Sequence, residues 1–169
     1  SSVSFSPGFR TNLAPLGKVC RKRDVFLLVD AAQSIGILDT NVNELGIDGL
    51  AVSTQKGLLG LYGFGFLYCR KHWAERLTPV YLARFGVDLG EDAHEATKGT
   101  FQYKLMPGAL RFDLGNYNYS GAVAANASLA ILAEVGTPVI DAHVTTLSHR
   151  LAVGLLGLGL PVAGGAPGP

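Results

Sequence analysis

Two short apolar runs, each ended by a polar residue, limit most strongly how this chain can fold. The first run is VFLLV at 25–29, which ends at Asp30, and the second is GLAV at 49–52, which ends at Ser53. Unbroken apolar runs of this length are typical of strands buried on both faces of a parallel sheet. Segments with helical spacing lie between and after them, and helices cover the faces of such sheets. The sequence therefore predicts an α/β fold, with a mainly parallel sheet flanked by helices.

Further elements follow from apolar spacing, glycines and capping residues. Additional strands are predicted at 3–5 and 64–69, and a short helical turn is predicted at 42–46. The helices are predicted at 13–20, at 71–77, from a Ser120 cap to Gly136, and from Thr137 as N-cap with Pro138 as first residue. The last helix carries an apolar stripe that is expected to pack on the sheet: Ile140, Val144, Leu147, Leu151 and Leu155.

The segment from Thr78 to Leu114 has neither helical nor strand periodicity. It nevertheless contains aromatic residues, among them Tyr81, Phe85, Phe101 and Tyr103. Long segments without regular structure are uncommon and are usually functional or interfacial. Two interpretations stay open, a mobile surface loop and a surface that packs against a second subunit. A homodimer would also cover apolar surface on a chain that is 48% hydrophobic.

Charge and composition argue against several kinds of partner and site. The chain has 14 lysines and arginines against 13 acidic residues. It therefore lacks the excess of positive charge that would indicate nucleic acid or an anionic membrane as a binding partner. Cys20 and Cys69 are the only cysteines, and neither they nor the four scattered histidines have metal-ligand spacing. Because no disulfide framework and no export signal are recognised, we expect a cytoplasmic protein without a metal site.

The residues that can carry chemistry lie between positions 30 and 65. Ligands of open α/β sheets bind at the carboxyl ends of the strands. Asp30 ends one predicted strand, and Lys56 follows shortly after Ser53, which ends the next. Pyridoxal phosphate requires such a pair, because a lysine forms a Schiff base with its aldehyde and an anion keeps its pyridine nitrogen protonated. The sequence therefore favours a pyridoxal-phosphate enzyme in which Lys56 and Asp30 are catalytic.

Each of these features also has a purely structural interpretation. An aspartate at a strand end ordinarily forms a turn or caps a helix, and a lysine near glycines is usually solvated in a loop. The glycines at 60, 63 and 65 match neither of the common nucleotide-binding patterns, and they precede a strand rather than a helix. They predict a tight turn and close backbone packing beside the lysine.

Four runs in a fixed order carry a family resemblance: VDAAQSIG at 29–36, LGID at 45–48, STQK at 53–56 and GFGFLY at 63–68. The resemblance continues through GFR at 8–10 and RFDLGN at 111–116. Together these runs closely resemble the class V aminotransferase family. That family consists of fold-type-I pyridoxal-phosphate enzymes, among them cysteine desulfurases, isopenicillin N epimerase-like proteins and several transaminases.

The resemblance implies a role for each candidate site residue. Lys56 matches the lysine that forms the internal aldimine, and Asp30 matches the partner of the pyridinium nitrogen. Gln33 matches the residue that hydrogen-bonds the ring hydroxyl, and Ala32 matches the residue that packs on a ring face. The residues that match phosphate contacts are Ser53, Gln55, where many members have a histidine, and Asn116, which would reach the phosphate of the neighbouring subunit.

The resemblance also implies an architecture in which two subunits form a homodimer with active sites at the interface. Residues 1–156 match the central and C-terminal part of the cofactor-binding large domain, and residues 157–169 match the start of a small domain or a linker. The family's phosphate loop, its ring-stacking aromatic and its substrate-carboxylate arginine have no match in this sequence. We therefore expect the chain to be part of a longer protein.

The expected function is that of a pyridoxal-phosphate-dependent enzyme, or part of one, acting on an amino-acid-like substrate. Transamination is the first expectation, and a lyase, cysteine desulfurase or epimerase reaction stays open. Phe5 stands where desulfurases carry a polar residue, which argues against that branch. A non-catalytic α/β domain for binding or assembly also stays open, although the presence of Lys56 counts against it.

Overall fold

The computed structural model describes residues 1–90 and 103–163 of the 169-residue chain. The helices are α1 (Leu13–Lys22), α2 (Lys71–Arg76), α3 (Tyr119–Val135) and α4 (Thr137–Gly157). The strands are β1 (Leu28–Asp30), β2 (Gly49–Ser53), β3 (Gly65–Cys69), β4 (Val87–Asp88) and β5 (Lys104–Leu105). Two short 3-10 helices lie at Arg84–Gly86 and Gly108–Phe112.

Strands β1, β2 and β3 form one sheet in that order, and the predicted α/β fold is confirmed. Strand β2 covers the residues that the sequence predicts and pairs with β1 in parallel. Strand β3 pairs with β2 in the antiparallel direction, so the described sheet is mixed. The direction follows from the connection at 54–64, because a parallel crossover needs a dozen or more residues and usually a helix.

Strand β1 is shorter and more exposed than its sequence predicts. Val29 is buried, whereas Val25 is 50% exposed and Leu28 is 56% exposed. The prediction that this run is buried on both faces is wrong within the described residues. Leu28 points to the face opposite Val29, because alternate strand residues point to opposite faces, and the core cluster contains only Val29 of this pair. Val25 lies before the strand begins.

The core joins the sheet to helix α3 and to the loops that follow β1 and β2. Its buried members are Val29, Ala31, Ile47, Leu50, Val52, Leu58 and Leu132. Helix α1 contacts the predicted turn at 42–46 through Gly17, where a Cβ atom would collide with the main chain of Leu45. Glycine at this position therefore allows the helix to approach the turn closely.

A partly buried ion pair closes the sheet at the amino ends of β1 and β2, here called the amino edge. Asp48 precedes β2, and Arg70 reaches the same edge because β3 runs antiparallel. Arg70 Nε lies 3.1 Å from Asp48 Oδ1, and Leu27 N donates to Asp48 Oδ2 at 3.2 Å. The other guanidinium nitrogens of Arg70 donate to Asn43 Oδ1, Val42 O and Ile47 O.

Helices α1 and α2 lie close to where the sequence predicts them, but two predicted helix caps are wrong. Helix α3 is capped by Asn118, whose side chain accepts from Gly121 N at 2.9 Å, and not by Ser120. Helix α4 has Gly136 as its N-cap, and Thr137 lies inside the helix beside Pro138. The Thr137 hydroxyl instead donates to Asp39 Oδ1 at 2.6 Å. A tertiary partner thus takes the hydroxyl that the local pattern assigns to a cap.

The apolar stripe of α4 is largely uncovered within the described residues. Ile140 packs against the core, whereas Leu147 is 47% exposed and Leu151 is 64% exposed. The expectation that the stripe packs on the sheet therefore holds only at its first member. By length and composition no single described helix could span a membrane, although α3 and α4, bent by 81° at their junction, pass that test as a broken pair.

The irregular segment at 78–114 contains more structure than its sequence predicts. Strands β4 and β5 pair antiparallel, and the 3-10 helix at Gly108–Phe112 packs against α2. Phe101 lies outside the described residues. The strand predicted at 3–5 is wrong, because Val3 forms only an isolated bridge with Arg10.

Candidate active site

Asp30 and Ser53 end neighbouring parallel strands at one edge of the sheet, here called the carboxyl edge. In the β1–β2 register Asp30 stands opposite Ala51, and Ala31 N donates to Ala51 O at 2.9 Å. Ser53 follows Ala51 by one full period of the strand, so its side chain lies on the same face as that of Ala51. Two predicted site residues thus come from adjacent strands at the same edge.

Lys56 lies in a tight loop at 54–60 that leaves β2. The side chain of Thr54 is fully buried, and its hydroxyl lies within hydrogen-bond distance of Leu61 O (2.9 Å) and Phe64 O (3.0 Å). Gly60 N donates to Thr54 O at 2.8 Å, which closes the loop. The side chain of Lys56 is exposed, so a well-anchored loop presents a free amine.

Thr54 is a site residue that sequence reasoning missed. The sequence signal that could have identified it is a threonine between the strand end and the lysine. Threonine is common in strands, and its hydroxyl can also hold a loop by hydrogen-bonding main-chain carbonyls. The glycines at 60, 63 and 65 have the predicted role. A Cβ atom on Gly60 would lie 2.7 Å from Thr54 Cβ, and Gly63 has a φ of +77°.

The turn that carries Gln33 packs against the lysine loop, main chain against main chain. A Cβ atom on Gly36 would collide with the Gly57 carbonyl, and a Cβ atom on Gly57 would collide with the Ile35 carbonyl. Gly36 also has a φ of +83°, a conformation that other residues rarely adopt. The glycine pair therefore fixes where Gln33 lies relative to Lys56.

The Asp30 side chain combines the structural and the functional interpretations. Its Oδ1 accepts a hydrogen bond from Ala32 N at 3.0 Å, as expected for a turn-forming aspartate. Its other carboxylate oxygen has no partner among the described residues, and the side chain is exposed. Asp30 thus shapes the turn and still offers one anionic oxygen to a ligand.

Lys56 and Gln33 line the same cleft, which has a volume of about 560 Å³. Its remaining walls are mostly apolar, and they come from the two loops and from helices α3 and α4: Gly36, Ile37, Gly57, Leu59, Ile131, Leu132, Val135 and Ile140. The other predicted site residues do not line it. Ala32, Ser53 and Gln55 are half-buried nearby in sequence, so the structure groups two of the seven candidates in one cleft and two, Asp30 and Ser53, at adjacent strand ends.

Asn116 is exposed on the segment that joins the 3-10 helix at 108–112 to α3. The adjacent Tyr117 hydroxyl donates to Asp113 Oδ2 at 2.7 Å, and this hydrogen bond raises the pKa of Tyr117. Arg111 anchors the segment by donating to Glu75 O and Met106 O. Asn116 does not line the cleft of its own chain, and its predicted role at a partner's cofactor stays a prediction.

The side chains at this edge fit pyridoxal phosphate by their chemistry. The cofactor offers an aldehyde for a primary amine, a ring nitrogen for a carboxylate, and a hydroxyl and a phosphate for hydrogen-bond donors. The exposed amine of Lys56 and the open oxygen of Asp30 match the first two groups. The half-buried donors Gln33, Ser53 and Gln55 match the other two.

Comparison with known proteins decides the family. The family model for class V aminotransferases matches residues 1–164. The chain belongs to the class V aminotransferase family. The uncharacterized aminotransferase YcbU of Bacillus subtilis is 34% identical over 145 residues, which cover 86% of this chain and 36% of that protein.

Two solved structures extend the comparison to the fold. The apo cysteine desulfurase of Thermococcus onnurineus matches with a TM-score of 0.78 and 30% identity, over 95% of this chain and 38% of that one. A variant of the cystine C–S lyase C-DES, with glycine covalently linked to its PLP cofactor, matches with a TM-score of 0.68 and 25% identity, over 80% of this chain and 34% of that one. This class V aminotransferase chain thus has the fold of the type-I enzymes and spans less than two fifths of the length of these relatives.

Proposed function

We propose that this chain forms the cofactor-binding part of a pyridoxal-phosphate-dependent enzyme that acts on an amino-acid-like substrate, with transamination as its reaction. The observation that carries the proposal is the grouping at the carboxyl edge. An exposed lysine and a glutamine share one cleft on two loops locked by the Gly36–Gly57 contact, and an aspartate with an open oxygen ends the adjacent strand.

Each residue at the carboxyl edge has a defined task in this proposal. Lys56 holds the cofactor by bonding its aldehyde carbon, and Asp30 holds a proton on the ring nitrogen. Gln33 donates to the ring hydroxyl, and Ala32 packs on a ring face. Ser53 and Gln55 donate to the phosphate. When bound, the cofactor withdraws electrons from the substrate α-carbon.

Proton transfer at the α-carbon falls to Lys56. The Lys56 amine would take up the α-proton of a bound substrate and return it, because a primary amine beside that carbon can act as base and then as acid. Gln55 cannot share this task, because an amide does not titrate near neutral pH.

Cysteine desulfuration is the second candidate reaction, because a solved relative with 30% identity is a cysteine desulfurase. Lyase and epimerase reactions use the same lysine and aspartate. Three products separate the reactions when the full-length protein meets a panel of amino acids: a 2-oxo acid with an amino acceptor for transamination, sulfide for desulfuration, and a D-amino acid for epimerisation.

The decisive test of the proposal is covalent labelling of the full-length protein. Borohydride reduction with bound cofactor should fix the label on Lys56, and peptide mapping identifies the labelled lysine. A label on Lys71 or Lys98, or no label, would refute the assignment. The absence of any label would favour the non-catalytic binding or assembly domain instead.

A homodimer in the cytoplasm is part of the proposal. Substitution of Asn116 tests whether each active site of that dimer takes residues from both subunits. If Asn116 serves the partner's cofactor, a mixed dimer of Asn116→Ala and Lys56→Ala subunits has one site with both defects and one site with neither. Activity should then reappear when the two impaired proteins exchange subunits. A mixed dimer that stays inactive would mean that Asn116 serves its own site or none.

A further inference from the structure

Two buried hydroxyl groups connect the parts of the site that carry Asp30 and Gln33. Ser2 is 7% exposed and Ser34 is 2% exposed, and their Oγ atoms lie 2.6 Å apart. We propose that Ser2 and Ser34 are positioning residues, which set the separation between the Asp30 carboxylate and the Gln33 amide and so align both with the cofactor ring. This inference rests on the proposed function of the site.

The pair binds directly to the end of strand β1. Ser2 N donates to Asp30 O at 2.8 Å, and Ser2 Oγ lies 3.2 Å from the same carbonyl. The arrangement that makes both side-chain contacts has Ser34 donating to Ser2 and Ser2 donating to Asp30. The third contact, from Ser34 Oγ to Ala31 O, is longer at 3.4 Å.

The position of the pair explains why its hydroxyls would matter to the site. Strand β1 pairs with β2 on one side only in the described sheet, so the Asp30 carbonyl needs a partner from elsewhere. Ser34 directly follows Gln33. Its carbonyl oxygen accepts a hydrogen bond from Leu38 N at 2.8 Å, which closes the turn. The hydroxyl chain therefore ties the turn with Gln33 to the strand end with Asp30.

Two alanines would pack in this space without the cost of burying hydroxyls. Buried hydroxyl groups lose free energy unless they are hydrogen-bonded, and networks of such groups specify geometry more than they add stability. The nearby Asp30 side chain has only the Ala32 amide to orient it among the described residues. Its direction therefore depends on how firmly the main chain at 30–34 is held.

The test compares Ser34→Ala with the matched control Ser128→Ala in the full-length protein. Ser128 is equally buried at 6% exposed, and its hydroxyl bonds only Ala125 O within helix α3. Without cofactor, hydrogen exchange of the amides at 30–35 should accelerate in Ser34→Ala and not in Ser128→Ala. With pyridoxal phosphate bound, kcat should fall about tenfold in Ser34→Ala alone, because small displacements of a catalytic group are costly.

Combination with Asp30→Asn separates positioning from general damage. If Ser34 acts through Asp30, Ser34→Ala should lower kcat much less when Asp30 is already asparagine. Ser2→Ala, which keeps the main-chain bond to Asp30, should reproduce a weaker form of the same effects and serves if Ser34→Ala does not fold.

The outcomes distinguish the two levels of the argument. Equal behaviour of Ser34→Ala and Ser128→Ala, or fully multiplicative effects with Asp30→Asn, would overturn the positioning role while the proposed function stands. A wild-type protein that takes up no pyridoxal phosphate on Lys56 would overturn the proposed function, and the positioning role with it.

Discussion

Each of the two edges of the three-stranded sheet carries an aspartate and a basic residue, but among the described residues only the pair at the amino edge is joined by a hydrogen bond. At the amino edge, Asp48 is buried, and Arg70 bonds its carboxylate, a side-chain amide and two carbonyls. At the carboxyl edge, Asp30 and Lys56 are both exposed, and the Asp30 carboxylate accepts one hydrogen bond among the described residues. Charges whose partners are all within the chain maintain the fold, whereas charges left open at a strand end are available to a ligand.

Replacement of the lysine should give the largest effect on function. Lys56→Ala should abolish cofactor attachment and turnover, because no other described amine lines the cleft. Its melting temperature without cofactor should stay close to that of the wild type, since the side chain is exposed. Lys71→Ala, at an exposed position on α2, is the control and should keep the visible absorption of the bound cofactor.

Loss of the amino-edge aspartate should mainly affect stability. Asp48→Ala leaves Arg70 without its carboxylate and Leu27 N without an acceptor. We expect the free energy of unfolding to fall by about 2 kcal/mol, because two hydrogen-bond donors of a partly buried network lose their charged acceptor. Denaturant titration measures this change. Turnover per folded molecule should be unchanged, and a specific loss of turnover would break the distinction between the edges.

The carboxyl-edge aspartate should show the reverse pattern. Asp30→Asn keeps the bond from Ala32 N to the side-chain oxygen but removes the charge that holds a proton on the ring nitrogen. We expect cofactor binding to persist and kcat to fall on the order of a hundredfold. Exchange of the substrate α-proton in deuterated water, followed by NMR, reports this step for any of the candidate reactions. A variant with unchanged exchange would refute the role of Asp30.

An exposed ion pair on the surface tests whether burial or the number of hydrogen bonds gives the Asp48–Arg70 pair its effect on stability. Arg76 donates two hydrogen bonds to Asp24, at 2.8 Å and 2.7 Å, and both side chains are exposed. The hydrogen bonds from Arg76 lower the pKa of Asp24 below its ordinary value. A carboxyl with a lowered folded-state pKa adds stability above its unfolded pKa, and this is lost as the pH falls through the folded value.

The effect of this surface pair should be the smallest of the four. Asp24 has a φ of +51°, which asparagine also tolerates, so Asp24→Asn isolates the charge. Its melting temperature should lie slightly below that of the wild type at pH 7, and the gap should close in strong acid. Solvent screening limits the contribution of such pairs. A loss as large as that of Asp48→Ala would mean that burial is not what separates the two pairs.

The sequence predicted those parts of the site that depend on local order. Strand β2 follows from an apolar run with a polar end, and Lys56 follows from its place after that end. The direction of β3 follows from the short connection at 54–64, and the cap of α3 follows from Asn118 three residues before Gly121, two local signals that the sequence prediction did not use. The exposure of Leu28 depends on which neighbours arrive from elsewhere in the chain. Thr54 and the Asp48–Arg70 pair were missed for the same reason, because their partners lie across turns or strands that no local pattern names.

The contact between Gly36 and Gly57 has a consequence for engineering. Two main chains touch there with no side chain between them, so no rotamer change can alter the spacing of the loops. A designer could exchange Gln33, Gln55 or Ser53 for other polar residues, and the frame that holds them would keep its dimensions. New specificities are therefore best sought by varying those side chains, while both glycines are retained in every variant of the library.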